Sequence, residues 1–91
     1  MYAIEFSRGF AKDFRRIRQN PHFRESDFGH VVTILQSSEN IPAKYKNHRL
    51  HGNLQNVWDI HVQNDIVLLY EKDETVRLIA LLRIGTHSEL F

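Results

Sequence analysis

The sequence predicts an α+β domain in which an N-terminal strand and two helices precede an antiparallel sheet, in the order β-α-α-β-β-β. Apolar residues recur at helical spacing in the N-terminal half and at period two, typical of strands, in the C-terminal half. Short polar segments separate the C-terminal strands and are typical of hairpin turns. Helices that precede a run of hairpin-linked strands favour a layer of helices on one side of the sheet.

The N-terminal half accounts for the first strand and both helices. Residues 2–6 alternate between apolar and small or polar side chains, which predicts a short strand. Ser7 can cap the first helix because its hydroxyl can accept a bond from a free amide one turn further on, and Asn20-Pro21 ends that helix. A second helix fits residues 23–38. The apolar stripes predicted to reach the core are Phe10, Phe14 and Ile17 in the first helix and Phe28, Val31, Val32 and Leu35 in the second.

The C-terminal half predicts three strands joined by turns. A turn at Gly52-Asn53 leads into the first strand, around residues 57–62. The second, residues 66–70, is apolar on both faces and is therefore expected at the centre of the sheet. A polar loop at residues 71–74 joins it to the last strand, residues 75–84. Unbroken alternation along the last strand predicts one face with Val76, Leu78, Ala80, Leu82 and Ile84 and another with Arg77, Ile79, Leu81 and Arg83.

Length and composition limit what kind of protein this is. A chain of 91 residues is expected to form one domain, residues 1–91, around one core. The absence of cysteine excludes disulfides, a thiolate nucleophile and a zinc-thiolate site. The first residues lack the basic start and apolar run of a signal peptide, and no apolar run reaches the roughly 18 residues of a spanning helix. We therefore expect a soluble cytoplasmic protein that does not engage a membrane.

Charge is unevenly divided, although the net charge is only +1. Residues 1–49 contain nine Lys or Arg against five Asp or Glu, whereas residues 50–91 contain three against six. A basic half of this kind suits binding to a polyanion such as nucleic acid, although many ordinary protein surfaces show the same imbalance.

Histidine is concentrated in residues 46–70 and in the C-terminal segment GTHSELF, which together contain His48, His51, His61 and His87. Period-two alternation places Asp59 and His61 on one strand face, about 6.6 Å apart along the strand. Alternation alone does not define a site, because strands of one-sided sheets usually direct polar residues outward. The density of imidazole predicts a functional site, with a plain surface that carries histidines as the alternative.

Three chemistries use histidine and carboxylate at this density. Metal binding is disfavoured because the spacing of His48, His51 and His61 matches no known metal motif. A Ser-His-Asp triad is disfavoured because no serine lies in a strained elbow, and Ser88 is merely next to His87. RNA cleavage by general acid–base catalysis needs no nucleophile from the protein, because the ribose 2′-hydroxyl itself attacks the adjacent phosphorus.

RNA cleavage requires a base, an acid and a cation, and the sequence contains candidates for all three. Imidazoles suit both proton transfers because their pKa lies near neutrality. Arg83 and the basic segment with Lys44 and Lys46 could stabilise the negative charge of the phosphorane. An aromatic side chain beside the site could stack on a base of a single strand. The structural alternative for Arg83 is a pair with Glu71 or Asp73 across the hairpin.

Three sequence motifs carry a family resemblance. K-x-H-x-L-x-G begins at Lys46, D-x-H-V-x-x-D-x-x-L-x-Y runs from Asp59 to Tyr70, and R-x-G-T-H-S-E-L-F runs from Arg83 to Phe91. In this combination the chain resembles the YafQ-like branch of the RelE/ParE toxin superfamily over nearly its whole length. The resemblance implies a bacterial type II toxin that cuts messenger RNA in the ribosomal A site without a metal or cofactor, and that a cognate antitoxin neutralises.

The resemblance also implies roles for individual residues. It favours His48 and His87 as the proton-transfer pair, with His61 and Asp65 orienting and polarising the reacting groups. The matches are His48, His61, Asp65 and His87 at catalytic positions, Asp59 at a supporting acidic position, and Phe91 at a terminal aromatic position that helps to hold the substrate base.

Two positions depart from the family pattern. Leu54 stands where relatives carry an aromatic residue, and Trp58 stands where they carry an arginine. The missing arginine leaves Arg83 and the lysines to stabilise the phosphate charge, and His51 has no counterpart in the family. A ParE-like inhibitor of DNA gyrase without chemistry of its own, and an RNA-binding module without activity, are therefore the alternative functions. The histidine set argues against a pure binding protein, which needs no imidazoles around one site.

Overall fold

The computed structural model describes residues 1–37, 40–52 and 56–91. Asn53, Leu54 and the predicted helix end at Ser38 lie outside the described residues. No helix in the described ranges is long and apolar enough to cross a membrane. The elements in chain order are β1 Ala3–Phe6, α1 Arg8–Ile17, α2 Glu25–Ser37, a 3₁₀ turn Ala43–Tyr45, β2 His48–Arg49, β3 Trp58–Gln63, β4 Ile66–Asp73, β5 Leu78–Thr86 and α3 His87–Leu90.

The strands form one sheet in the order β1-β5-β4-β3-β2, with β4 at its centre as the sequence predicts. Neighbours from β2 to β5 are antiparallel, but β1 runs parallel to β5, with Ala3 beside Leu78. The sheet is therefore mixed rather than purely antiparallel. Parallel neighbours cannot be joined by a tight turn, and here the connection contains both long helices and the other strands. Sequence periodicity does not predict β2 or α3, because β2 has only two residues and α3 only four, too few to show a period.

The two long helices form where the apolar stripes predict them. The Ser7 hydroxyl accepts a 2.9 Å hydrogen bond from the Phe10 amide, which confirms the predicted cap of α1. α2 begins at Glu25, two residues later than predicted. All members of the two stripes lie in the core or pack against it: Phe10, Phe14, Ile17, Phe28, Val31, Val32 and Leu35.

The side chains of β3 alternate between the core and the opposite face of the sheet. Ile60 and Val62 are buried in the core together with residues of both long helices. Asp59 and His61 alternate with them and therefore lie on the other face, as the sequence predicts.

A β-bulge in β5 changes the alternation predicted for the last strand. Tyr70 pairs with Leu81, whereas the preceding residue Leu69 pairs with Arg83, so one extra residue stands in β5. Ile84 therefore joins Leu81 in the core, although unbroken alternation predicts them on opposite faces. Arg83 correspondingly moves to the face of Leu69, away from the core.

The hairpin between β4 and β5 is also longer than predicted. β4 continues through Asp73 and β5 begins at Leu78, so most of the predicted loop at residues 71–74 belongs to a strand. The residues that extend β4, Glu71, Lys72 and Asp73, are exposed and pair with Ala80, Ile79 and Leu78 of β5. The Asp73 carboxylate closes the turn by accepting a 2.9 Å hydrogen bond from the Thr75 amide.

Candidate active site

The candidate site lies on the sheet face opposite to the core. β2 pairs with β3 so that His48 stands beside Asp59, and β3 pairs with β4 so that Asp59 stands beside Leu69. His61 lies two residues along β3, beside Val67. Neighbouring strands are about 4.8 Å apart, so the sheet register brings two of the predicted histidines to the same carboxylate.

Asp59 is a buried carboxylate at the centre of the histidines. It is only 2% exposed, and its Oδ1 atom has no hydrogen-bond partner among the described residues. The nearest imidazole atom is His61 Nε2, 3.8 Å from Oδ1, which is ion-pair distance but too long for a hydrogen bond. Burial raises the pKa of Asp59, and the charges of His48, His61 and His87 oppose this rise without cancelling it. The three histidines therefore share one incompletely satisfied carboxylate.

His48 is oriented by the segment that precedes β2. Its Nδ1 atom is 2.8 Å from the carbonyl oxygen of Lys46, a residue held in the left-handed region with φ of +49°. A carbonyl only accepts, so Nδ1 carries the proton and donates, which leaves Nε2 as the acceptor in the neutral ring. The segment is anchored by Tyr70, whose hydroxyl donates a 2.6 Å bond to Asn47 Oδ1. Burial raises the pKa of Tyr70 to about 12, so the hydroxyl stays protonated near neutral pH.

His87 and Phe91 are placed by α3, the short C-terminal helix. A capping box defines its start: Thr86 Oγ1 accepts from the Glu89 amide, and Glu89 accepts from the Thr86 amide. The His87 and Phe91 rings meet edge to face, with centroids 4.7 Å apart. Both side chains are exposed, and Phe91 therefore does not close the core.

Asp65 contacts the site through its backbone carbonyl group rather than its side chain. It lies in the exposed turn between β3 and β4, and its carbonyl oxygen accepts a 3.2 Å hydrogen bond from the His87 amide. Its carboxylate makes no hydrogen bond or ion pair with the rest of the described chain. The carboxylate that lies among the imidazoles is that of Asp59, for which the family resemblance implies only a supporting position.

Arg83 is not a free cation. Its Nε and Nη2 atoms donate to the two oxygens of Asp13 on α1, at 2.5 and 3.1 Å. The predicted alternatives are also wrong, because Glu71 stands opposite Ala80 and Asp73 opposite Leu78, away from Arg83 in the register. The sequence could not indicate Asp13 as the partner, because the two residues are 70 positions apart and meet only when α1 packs on β5.

Lys44 and Lys46 line a cavity of about 330 Å³ that His61 also lines. Arg24 and His30, from the region around α2, line the same cavity. No sequence pattern indicates a function for either residue, because only the packing of α2 beside β3 brings them there. Asp27 also lines this cavity and pairs with Arg24 at 2.6 Å, so Lys44 and Lys46 are the lysines that bring positive charge beside His61.

Trp58, the position at which the family resemblance implies an arginine, has a cation beside it in space. Arg49 pairs with Trp58 across β2 and β3, and its guanidinium carbon lies 5.1 Å from the centroid of the indole ring. A positive charge therefore lies close to this position although the residue itself is aromatic.

Comparison with known proteins shows the family to which this fold belongs. A model of the bacterial toxins of type II toxin–antitoxin systems, YafQ, matches residues 2–91. The mRNA interferase toxin YafQ of Escherichia coli strain K12 is 34% identical over 89 residues, which cover 97% of this chain and 94% of that protein. The fold and site thus define a toxin of a type II toxin–antitoxin system. Within that class, the chain belongs to the YafQ family.

Solved structures share the whole fold. A metal-bound toxin from Helicobacter pylori superposes with a TM-score of 0.90 at 34% identity and covers 100% of both chains. The toxin chain in the Escherichia coli DinJ–YafQ complex gives a TM-score of 0.83 at 30% identity and covers 100% of this chain and 99% of that one. Within the described residues of the present chain, no group of three or more His, Asp or Glu side chains is arranged to hold a metal ion.

Proposed function

We propose that this protein is an mRNA interferase, an endoribonuclease toxin whose single domain, residues 1–91, cuts messenger RNA in the ribosomal A site. It acts in the cytoplasm, and a cognate antitoxin neutralises it. The observation that supports catalysis best is the buried Asp59 carboxylate among His48, His61 and His87. Burying a charge without full pairing costs stability, and such costs are concentrated at catalytic sites rather than at plain binding surfaces. The names of the relatives support the activity and the antitoxin partner.

The proposed reaction is attack of a ribose 2′-oxygen on the adjacent phosphorus. A base takes the 2′-hydroxyl proton, the new P–O2′ bond forms, and the P–O5′ bond breaks through a phosphorane. An acid gives a proton to the departing 5′-oxygen. The products are a 2′,3′-cyclic phosphate and a 5′-hydroxyl, so atoms and charge balance without water, metal or cofactor.

His48 is the proposed base. Because Nδ1–H donates to the Lys46 carbonyl, the Nε2 lone pair of the neutral ring is directed away from the backbone and is available to take the 2′-hydroxyl proton. This hydrogen bond also fixes the plane of the ring, which is the role a positioned base requires.

His87 is the proposed acid, and Asp59 is the carboxylate that it shares with the other two histidines. The charges of His48, His61 and His87 all act on Asp59, so this one carboxylate links the three imidazoles. His61, at 3.8 Å from the carboxylate, orients and polarises the phosphate. Asp65 supports His87 through its carbonyl, and Phe91 stacks on the substrate base.

Lys44 and Lys46 are the proposed phosphate cations in place of Arg83. They share a cavity with His61, whereas Arg83 is occupied by Asp13. Arg49 stacks on Trp58, which faces the core side of β3, and is therefore not one of the proposed phosphate cations. The positive charges of Lys44 and Lys46 beside the phosphate would stabilise the phosphorane more than the ground state.

The test is induced expression of the unchanged protein, His48→Ala and His87→Ala, with messenger RNA ends mapped in each culture. We expect growth arrest and new ends inside translated messages for the unchanged protein, and neither in the two variants at equal protein level. In purified ribosome complexes, a message with 2′-deoxyribose at the scissile position should bind and stay intact.

Two outcomes contradict the proposal. Cleavage of the 2′-deoxy message excludes attack by the 2′-oxygen. Growth arrest that persists in both histidine variants without new ends identifies a binding toxin, such as a gyrase inhibitor, instead of a nuclease.

A further inference from the structure

An ion-pair network connects α1 to the helix that carries His87. Arg16 Nη2 lies 3.1 Å from Asp13 Oδ1, and Arg16 Nε lies 3.2 Å from Glu89 Oε2. Asp13 is itself fixed by Arg83 and by the Ile84 amide of β5. We call the contacts among Asp13, Arg16 and Glu89 the α1–α3 bridge.

Glu89 belongs to the bridge and to the capping box at the same time. Its Oε1 atom accepts a 2.8 Å bond from the Thr86 amide, while Oε2 receives Arg16. His87 is the first residue of α3 and lies directly between the capping residue Thr86 and Glu89. The position of the Glu89 carboxylate therefore determines where α3 begins and where the His87 side chain points.

Gly85 leaves the space in which the bridge forms. A Cβ atom at this position would lie 2.9 Å from Glu89 Oε1 and 3.3 Å from Arg16 Nη2. The first distance is closer than non-bonded contacts allow, so any larger residue displaces the carboxylate. An absent side chain in β5 is thus a second observation, independent of charge, that ties this part of the sheet to the bridge.

We propose that Arg16 is a positioning residue for catalysis, acting through Glu89 on His87. A helix of four residues is too short to be stable alone, so tertiary contacts determine its orientation. The bridge on one side and the Asp65 carbonyl on the other are two of these contacts. The proposal rests on the proposed ribonuclease function, because it assigns Arg16 a part in placing the proposed acid.

The bridge affects positioning more than folding stability. The Arg16 and Glu89 side chains are 45% and 37% exposed, and ion pairs at such exposure contribute little to the free energy of unfolding. A displacement of about 1 Å in a catalytic group can nevertheless reduce the rate by up to about a hundredfold. Loss of activity in a fully folded variant is therefore the expected sign of this role.

The experiment measures kcat and KM for cleavage of a message bound to purified ribosomes. Arg16→Gln removes the guanidinium, and Glu89→Gln keeps an acceptor for the Thr86 amide while removing the charge. Gly85→Ala displaces the carboxylate with all charges retained. We expect kcat to fall roughly tenfold in each, with KM within about twofold. Arg16→Lys should recover part of the loss, since it keeps the charge but not the fork.

Arg15→Gln is the matched control. It removes one exposed charge from the neighbouring position of α1, where Arg15 has no ion-pair partner in the described part of the chain, and we expect kcat to be unchanged. The second measurement is the NMR signal of the His87 ring, which is sensitive to the Phe91 ring 4.7 Å away. This signal should shift in Arg16→Gln and Glu89→Gln but stay in place in the control.

The outcomes separate this proposal from the proposed function. If His87→Ala abolishes cleavage while Arg16→Gln and Glu89→Gln retain full kcat, the positioning role is wrong and the nuclease stands. If His87→Ala cleaves normally, the proposed function is wrong at this residue. The NMR signal then decides whether Arg16 positions the His87 ring, and an unshifted signal in Arg16→Gln overturns that claim too.

Discussion

Replacement of Asp13 by alanine should destabilise the protein more than any change to a surface ion pair. The carboxylate is 2% exposed and accepts from Arg83 at 2.5 and 3.1 Å, from the Ile84 amide at 3.2 Å and from Arg16 at 3.1 Å. Asp13→Ala removes all of these bonds in one step.

The cost can be worked out from the exposure of each partner. Breaking a buried ion pair costs about 3–5 kcal/mol when the remaining charge is stranded. The Arg83 and Arg16 side chains are 44% and 45% exposed and can turn to water, so their share of the cost is small. The Ile84 amide is buried and cannot turn to water, so leaving this donor unpaired costs about 1–3 kcal/mol. With the loss of charge-assisted bonds, we expect a decrease of about 3 kcal/mol in the free energy of unfolding.

Urea denaturation measures this change as a lower midpoint at unchanged slope. The control is Asp27→Ala, which removes the exposed pair that Asp27 makes with Arg24 at 2.6 Å and should cost less than about 1 kcal/mol. A decrease for Asp13→Ala no larger than that of the control would refute the reasoning.

The pH dependence of the same variant is a further check. Burial alone raises the pKa of Asp13, but the hydrogen bonds from Arg83 and Ile84 and the charges of Arg83 and Arg16 outweigh it, so its pKa lies below the ordinary value. A lowered pKa in the folded state means that the carboxylate stabilises the fold above its unfolded-state pKa and that this contribution is lost as the pH falls through the folded value. The stability difference between wild type and Asp13→Ala should be constant near neutrality and shrink in acid.

Three other perturbations have expected outcomes. Asp59→Asn should lose most cleavage activity yet raise the free energy of unfolding at pH 7 by about 1 kcal/mol, because a buried carboxylate with a raised pKa destabilises the fold when it is ionised. Urea titration measures this gain, which should vanish in acid, and a variant that is less stable than the wild type at pH 7 contradicts the prediction. Tyr70→Phe should cost about 1 kcal/mol and loosen the segment before His48, since Asn47 loses its donor; normal stability and kcat would exclude this anchoring role. Replacing Lys44 and Lys46 by glutamine should weaken the salt dependence of message binding by a slope of roughly 1.4, at about 0.7 per phosphate contact, and an unchanged slope would remove the lysines from the phosphate site.

Local patterns explain why much of the fold is predictable from the sequence. The Ser7 cap of α1 and the apolar stripe of α1 that contains Phe10 each depend on residues within one or two helical turns. The central position of β4 follows from residues that are apolar on both faces. The alternation that places Asp59 beside His61 belongs to a single strand, and the motifs around the histidines identify the family.

Other features depend on register and packing, which no local pattern encodes. The bulge in β5 moves Arg83 to the other face, and the packing of α1 then supplies Asp13 as its partner. Asp59 is buried in the sheet, and the histidines whose charges act on it come from separate parts of the chain.

The sequence by itself thus determined the elements, their order and the residue types of the site, because periodicity and capping act over a few residues. Only the tertiary structure decided which carboxylate the imidazoles share, which cation is free, and what holds α3. Those outcomes arise from contacts between distant segments, such as the 70 positions that separate Asp13 from Arg83. The energy of such contacts depends on burial and strand register, and both exist only once the chain has packed.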